Sequence, residues 1–274
     1  MVIVRLMGGL GNQMFQYAAA RATSLRTGAP LKLDLSWYDD EGSRVTPRRE
    51  YELEPFGLPT EVASEAEIAR SLRRRVLRRR PRILVDPTLR FDPRVLDADD
   101  VRLIGYWQSE KYFADQADTI RGDFALPVTD AALEERLASV DSVSVHVRRG
   151  DYASDQVASS ELGVLPLEYY EAAIERVQQL VPQPEFFVFS NDPDWSADNL
   201  RIDAPRTFMA LGRSHDDLRL MSVCRHHILA NSSFGWWGAW LREERDTIVV
   251  APERWFRGSR FDTRDLIPDR WLRT

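Results

Sequence analysis

The chain has 274 residues, 43% of them hydrophobic, and a formal net charge of −6. That length suits one large or two small domains with a sizeable core, and the acidic balance excludes general nucleic-acid binding, so any phosphate contact must come from a local basic site. One cysteine, Cys224, excludes an internal disulfide, and the four histidines (His146, His215, His226, His227) lack the spacing of metal ligands.

The chain opens on an apolar run, Val2 to Met7, that reads as a buried first strand rather than a targeting segment. GGLGNQ follows at residues 8–13, and then a helical pattern from Met14 to Thr27, capped by Gly28. Gly9 and Gly11 fill the first two places of a dinucleotide-type glycine fingerprint, but Met14 holds the third, so a tight turn needing positive φ explains the glycines equally well. Leu31, Leu33, Leu35 and Trp37 alternate with polar residues as a second strand. Residues 39–60 read as an irregular loop, and residues 61–80 as a helix running into eight arginines between Arg70 and Arg82. Those arginines form either a solvated face or a peripheral contact with anionic headgroups. Val101 to Trp107 is a further strand, running into QSEKYF and a helix to about Arg121. The proline-bearing stretch 123–130 marks the domain junction, dividing residues 1–128 from 129–274, with the last ~20 residues packing back on the first domain.

The second half is organised around SVSVHVRRGDY, residues 142–152. Val143, Val145 and Val147 alternate with Ser144, His146 and Arg148, which is strand periodicity. His146 and Arg148 therefore share a face, and Arg149 points the other way or turns with the loop at Gly150 and Asp151. Helices follow at Leu167 to Leu180, Ser214 to Cys224 and Phe234 to Arg242, and strands at Glu185 to Ser190, His226 to Ala230 and Thr247 to Val250. Strands alternating with helices predict an α/β fold with parallel sheets, whose ligands sit beyond the strands' carboxyl ends. Four polar clusters fall at such ends: Gly8 to Gln13, His146 to Asp151, Asn191 to Asp194, and Asn231 to Ser233. Adjacent arginines at a strand end suit a dianionic phosphate.

HVRRGDY resembles the HxRRxD motif of the α1,2-, α1,6- and protein O-fucosyltransferases. Together with GGLGNQMFQYA, GYWQSEKYF (105–113) and NSSFGWWGAWL (231–241), it is similar to the bacterial α1,2-fucosyltransferases, glycosyltransferase family 11. The resemblance implies a GT-B fold, two Rossmann-like domains with a cleft between them. It implies inverting transfer of L-fucose from GDP-β-L-fucose to the 2-hydroxyl of a terminal galactose, with no metal or other cofactor. The acceptor would be a galactose-terminated glycan, free or lipid-linked, and the enzyme cytoplasmic or at the inner face of the membrane, with no transmembrane segment. Residue by residue, Arg148 would bind the β-phosphate, with Arg149 and Asp151 completing the motif and His146 beside the nucleotide. Asp192, with Asn191 before it, would face guanine, whose N1–H and N2–H₂ donate side by side. Ser232, Ser233 and Phe234 would hold phosphate at a helix N-terminus. Asn12, in the loop of Gly9 and Gly11, would reach the reacting hydroxyl. Asp151 either braces the arginines or accepts the hydroxyl's proton; a donor phosphate oxygen could accept it instead.

Two other readings fit parts of the chain. Asp192-Pro193-Asp194 has the form of a DxD triplet, which would suit a metal-dependent GT-A enzyme. The eight tryptophans could serve a non-catalytic carbohydrate-binding module, although Trp236, Trp237 and Trp240 recur at core-helix spacing.

Overall fold

The computed structural model describes residues 1–39, 48–72, 82–149, 163–209, 212–258 and 260–274. The chain divides into two units, Met1–Ala125 with Arg260–Pro268, and Leu126–Ser259 with Asp269–Thr274. Each is built on an all-parallel sheet, so the α/β expectation holds in both.

The first sheet has the order β3-β2-β1-β5-β4, with β1 Val2–Arg5, β2 Leu31–Asp34, β3 Glu61–Val62, β4 Arg82–Val85 and β5 Val101–Ile104. Helix α1, Leu10–Thr27, crosses from β1 to β2 and ends where Gly28 takes a left-handed φ of 68°. It starts four residues before the helix expected from Met14. Gly9 is its extended N-cap, so Gly11 and Asn12 lie in the first helical turn and not in a loop. The positive φ belongs to Gly8, at 76°. Strand β2 is shorter than the alternation to Trp37 suggests. The Asp34 carboxylate accepts from the Ser36 N–H and hydroxyl, which turns the chain into a short helix, Ser36–Asp39. The helix expected over 61–80 is the Glu65–Leu72 helix, preceded by β3. Arg73 to Pro81, most of the arginine run, lie outside the described residues.

The second sheet has the order β11-β10-β9-β6-β7-β8, with β6 Asp141–Val147, β7 Pro184–Ser190, β8 Arg206–Phe208, β9 His226–Ile228, β10 Val249–Ala251 and β11 Leu272–Arg273. As a central parallel strand, β6 is buried on both faces. Val143, Val145 and Val147 pack with Tyr170, Ile174 and Val177 of the Leu167–Leu180 helix. The opposite face carries Ser144 and His146, also buried, so the alternation separates two interior faces rather than core from solvent. Cys224 packs in a small cluster with Phe187, Phe189 and Met221; burial pushes its thiol up to about 12. Trp236, Trp237, Trp240 and Trp271 pack ring against ring. Seven tryptophans are buried core residues, which removes the sugar-platform reading for them. Among the described residues no helix is long and apolar enough to cross a membrane.

Candidate functional site

Parallel pairing brings the second unit's polar clusters to one edge. Val147 is level with Ser190, and Val145 with Ile228. The residues that follow each strand, Arg148 and Arg149, Asn191 and Asp192, and Asn231 to Ser233, therefore leave the sheet side by side. Gly150 and Asp151 lie outside the described residues.

His146 sits just inside this edge, 5% exposed. Burial, aided by the Arg148 charge, lowers its pKa to about 3, so it is a neutral imidazole at any ordinary pH. Its Nδ1 is buried without a hydrogen-bond partner among the described residues. The Ser233–Trp240 helix lies directly against it, with the Phe234 ring 5.7 Å away. Gly235 permits that approach, because a Cβ there would collide with the imidazole. This glycine gave no signal in the sequence beyond its place in a helix, since its reason is a neighbour some 90 residues earlier.

The two arginines are treated differently. Arg149 is fixed by three contacts. Its backbone N–H donates to Asn191 Oδ1 at 2.8 Å, its Nε stands 3.7 Å from Asp192 Oδ2, and its guanidinium lies 3.7 Å over the Trp195 ring. Arg148 leaves the strand on the His146 side, where its charge acts on that ring.

Asp192 has a role the sequence reading did not include. It is the N-cap of a helix, Pro193–Asn199, with Pro193 in the first turn, and its Oδ1 accepts from the Trp195 N–H at 3.3 Å. One oxygen caps and the other faces Arg149. Asp194 is exposed on the same short helix. Among the described residues no group of three or more His, Cys, Asp or Glu is arranged to hold a metal ion.

Ser232 precedes the Ser233–Trp240 helix in an extended conformation and makes no side-chain cap bond, and the first turn carries no acidic residue. The N–H groups and dipole of that turn form an end receptive to an anion. Asn231, 1% exposed, donates through Nδ2 to the carbonyls of Gly163 and Trp255, tying two distant segments to the root of this turn.

In the first unit the glycine loop is held by two buried glutamines. Gln13 donates to the carbonyls of Gly8 and Glu50 and accepts from the Glu52 N–H. Gln16 exchanges hydrogen bonds with both backbone groups of Met7. Gly9 faces Arg49, whose Nη1 would stand 3.4 Å from a Cβ at that position. Asn12 accepts at Oδ1 from Gln108 Nε2 at 2.8 Å.

An α/β fold with a neutral histidine, arginines and a helix N-terminus at its strand ends belongs to the class whose site lies beyond the sheet edge, and these groups suit an anionic ligand. The comparisons narrow it. Residues 100–272 match the family model described as Glycosyl transferase family 11. The α-1,2-colitosyltransferase of Escherichia coli is 33% identical over 99% of this chain and 98% of its own. The O-antigen biosynthesis glycosyltransferase WbnK of Escherichia coli is 31% identical over 97% of this chain and 98% of its own. The galactoside α-(1,2)-fucosyltransferase 2 of Oryctolagus cuniculus is 27% identical over 90% of this chain and 68% of its own. The chain belongs to glycosyltransferase family 11 and is a glycosyltransferase of the kind that includes the α1,2-fucosyltransferases.

Proposed function

We propose that the protein transfers L-fucose, with inversion, from GDP-β-L-fucose to the 2-hydroxyl of a terminal galactose on a glycan. The observation that carries this reading is the near full-length similarity to proteins named for α-1,2 transfer. A second donor follows from the same observation. Colitose is fucose without its 3-hydroxyl, and the relative at 33% identity is named for colitosyl transfer. The relative named for O-antigen biosynthesis supports a surface-polysaccharide precursor as acceptor.

In this reading the acceptor hydroxyl displaces the GDP group from the sugar's anomeric carbon through an oxocarbenium-like state, negative charge builds on the departing diphosphate, and a phosphate oxygen of the departing GDP takes the hydroxyl's proton. Arg148, which leaves the strand on the His146 side, meets that charge with two parallel N–H donors, and Arg149 stacks on Trp195 beside Asp192. The N–H groups of the turn at Ser232, Ser233 and Phe234 receive the remaining phosphate oxygens. His146, held neutral, adds no charge and orders the pocket wall through Phe234. Asp192 accepts from guanine with the lone pairs that its cap and Arg149 leave, and Asp151 is assigned to bracing the arginines. Asn12 serves the acceptor side. A metal-dependent route through Asp192 and Asp194 is disfavoured because Asp192 is already a helix cap facing a cation.

The test is a transfer assay with GDP-fucose, GDP-colitose, GDP-mannose and UDP-galactose against galactose-terminated acceptors, with and without EDTA, and NMR of the product. Consumption of GDP-fucose or GDP-colitose, a new α1,2 linkage and indifference to EDTA are expected. Use of only UDP-galactose or GDP-mannose overturns the donor assignment, and EDTA inhibition reversed by Mn²⁺ supports the metal-dependent route.

A further inference from the structure

We infer that Gln13 is a positioning residue that builds an acceptor-binding wall in the first unit. It joins the glycine turn before α1 to residues 49–52, so that this segment meets the acceptor sugar. The inference rests on the acceptor-side role proposed above for Asn12, which follows that turn.

The joint is one carboxamide, fully buried, with both of its N–H donors in use. Gln13 Nε2 donates to the carbonyls of Gly8 at 3.0 Å and Glu50 at 2.9 Å, and Oε1 accepts the Glu52 N–H at 2.9 Å. The Tyr38 hydroxyl adds a bond to the same Gly8 carbonyl at 3.2 Å. Glu50 and Glu52 lie 37 and 39 positions from Gln13, and neither is in a strand or helix paired with α1. Burying a glutamine costs free energy unless its polar atoms are paired, and an apolar residue would pack the start of α1 without that cost. A buried carboxamide bonded to two separate backbone segments fixes their relative place, which an apolar contact would leave looser.

The two segments meet where open α/β sheets take ligands. β1 is the central strand of its sheet, and Gly8 and Gly9 follow its carboxyl end. Gln13 lays residues 49–52 against that end. A Cβ on Gly9 would stand 3.4 Å from Arg49 Nη1 and 3.7 Å from Glu52 Oε2. Both side chains also interact within the chain, so what Gln13 fixes is the path of the segment and not a spare charge. Behind it, Leu53 is fully buried and Phe56 meets Phe124 edge-on at 5.1 Å. Ahead of that anchor Arg49, Tyr51 and Glu52 stay partly exposed. Every group assigned above to the GDP-sugar lies in the second unit, which leaves this surface to the acceptor. Side chains of both charges on one segment suit a neutral polyhydroxyl sugar, which both donates and accepts, better than an anion.

The test is steady-state kinetics of Gln13→Met, Tyr38→Phe and the double variant with an acceptor that the wild type uses, together with calorimetry of GDP and hydrogen exchange at the Glu52 N–H. Gln13→Met keeps the length of the side chain and removes its three bonds. It should raise the acceptor KM about tenfold or more and leave GDP affinity within about twofold. Tyr38→Phe removes one bond from the same turn and should raise the acceptor KM about threefold at an unchanged Tm. The double variant should be no worse than Gln13→Met alone, because both residues act on one turn. In the wild type, saturating acceptor with GDP should slow exchange at the Glu52 N–H by about tenfold. A Gln13→Met protein that loses stability at a wild-type acceptor KM makes the carboxamide a brace only, and overturns the inference while the proposed transfer stands. GDP affinity that falls as far as acceptor affinity assigns the segment to the donor and overturns it as well. If Gln13→Met does not fold, the exchange decides: slowing by the acceptor upholds the inference, and an unchanged rate overturns it. If the wild type transfers to no galactose-terminated acceptor, the proposed function falls and the inference falls with it.

Discussion

Gly235→Ala is a substitution for which helix propensity and packing predict opposite signs. Gly235 lies in the first half of the Ser233–Trp240 helix, and alanine in a helix is favoured over glycine by about 0.8–1 kcal/mol. The added methyl, however, would collide with the His146 ring, which is buried and cannot swing into solvent. Overpacking of that kind costs roughly 1–3 kcal/mol, so the net expectation is destabilisation by about 1 kcal/mol. Gly122→Ala is the matched control. It lies in the Ala117–Asp123 helix with nothing within 4 Å of a Cβ, and should gain roughly 0.5–1 kcal/mol. Urea unfolding of the wild type, both variants and Gly235→Ala in a His146→Ala background gives the comparison. Gly235→Ala should be the less stable of the two, should lose transfer activity as the helix moves off His146, and should recover stability when the ring is removed. A Gly235→Ala protein stabilised to the same extent as Gly122→Ala would refute the claim that this glycine exists to seat the helix on His146.

Stability should also fall as pH drops below about 6.5. Burial lowers the pKa of both His146 and His227 to about 3, so between 6.5 and 3 the unfolded chain binds protons that the folded one refuses. From pH 7 to 5 each histidine should cost about 2 kcal/mol, or about 4 kcal/mol for the pair, and His227→Gln should reduce the drop measured by urea unfolding by about 2 kcal/mol. Asp192→Asn should keep the helix cap and the stability, because asparagine caps as well as aspartate, but weaken GDP binding measured by calorimetry. Asp192→Ala should lose both, with about 1 kcal/mol of stability going with the cap. Undiminished GDP affinity in Asp192→Asn would remove the guanine role.

The legible parts of the chain were those whose pattern is local. The valines of β6, the Leu167–Leu180 helix and the cap at Gly28 follow from spacing alone and appear at those places. Errors fell where a single residue ends or begins an element. Asp34 stops β2 by bonding Ser36, and Gly9 starts α1 early by capping it. The Pro193–Asn199 helix is absent from the sequence expectations although Asp192-Pro193 is a cap followed by a first-turn proline. The short strands β4 and β8 were missed as well; each borders its sheet and carries few residues. At the site, motif residues were visible as clusters at strand ends. Gln108, Trp195 and Gly235 act through contacts across 40 to 100 positions, and no periodicity encodes such a pairing.

The central claim is that one arginine of the pair carries the reaction and the other carries the site. Arg148→Ala should lose at least roughly 10²–10³-fold in kcat in a folded protein, since the charge it meets grows in the transition state. Arg149→Ala should mainly release the Trp195 stack and the Asp192 contact, with kcat lowered by less than about tenfold. Measuring kcat for both variants with GDP-fucose and a galactose-terminated acceptor tests the claim directly. The account predicts that Arg148→Ala is by far the slower enzyme; an Arg149→Ala protein that folds normally and loses more kcat than Arg148→Ala would contradict it.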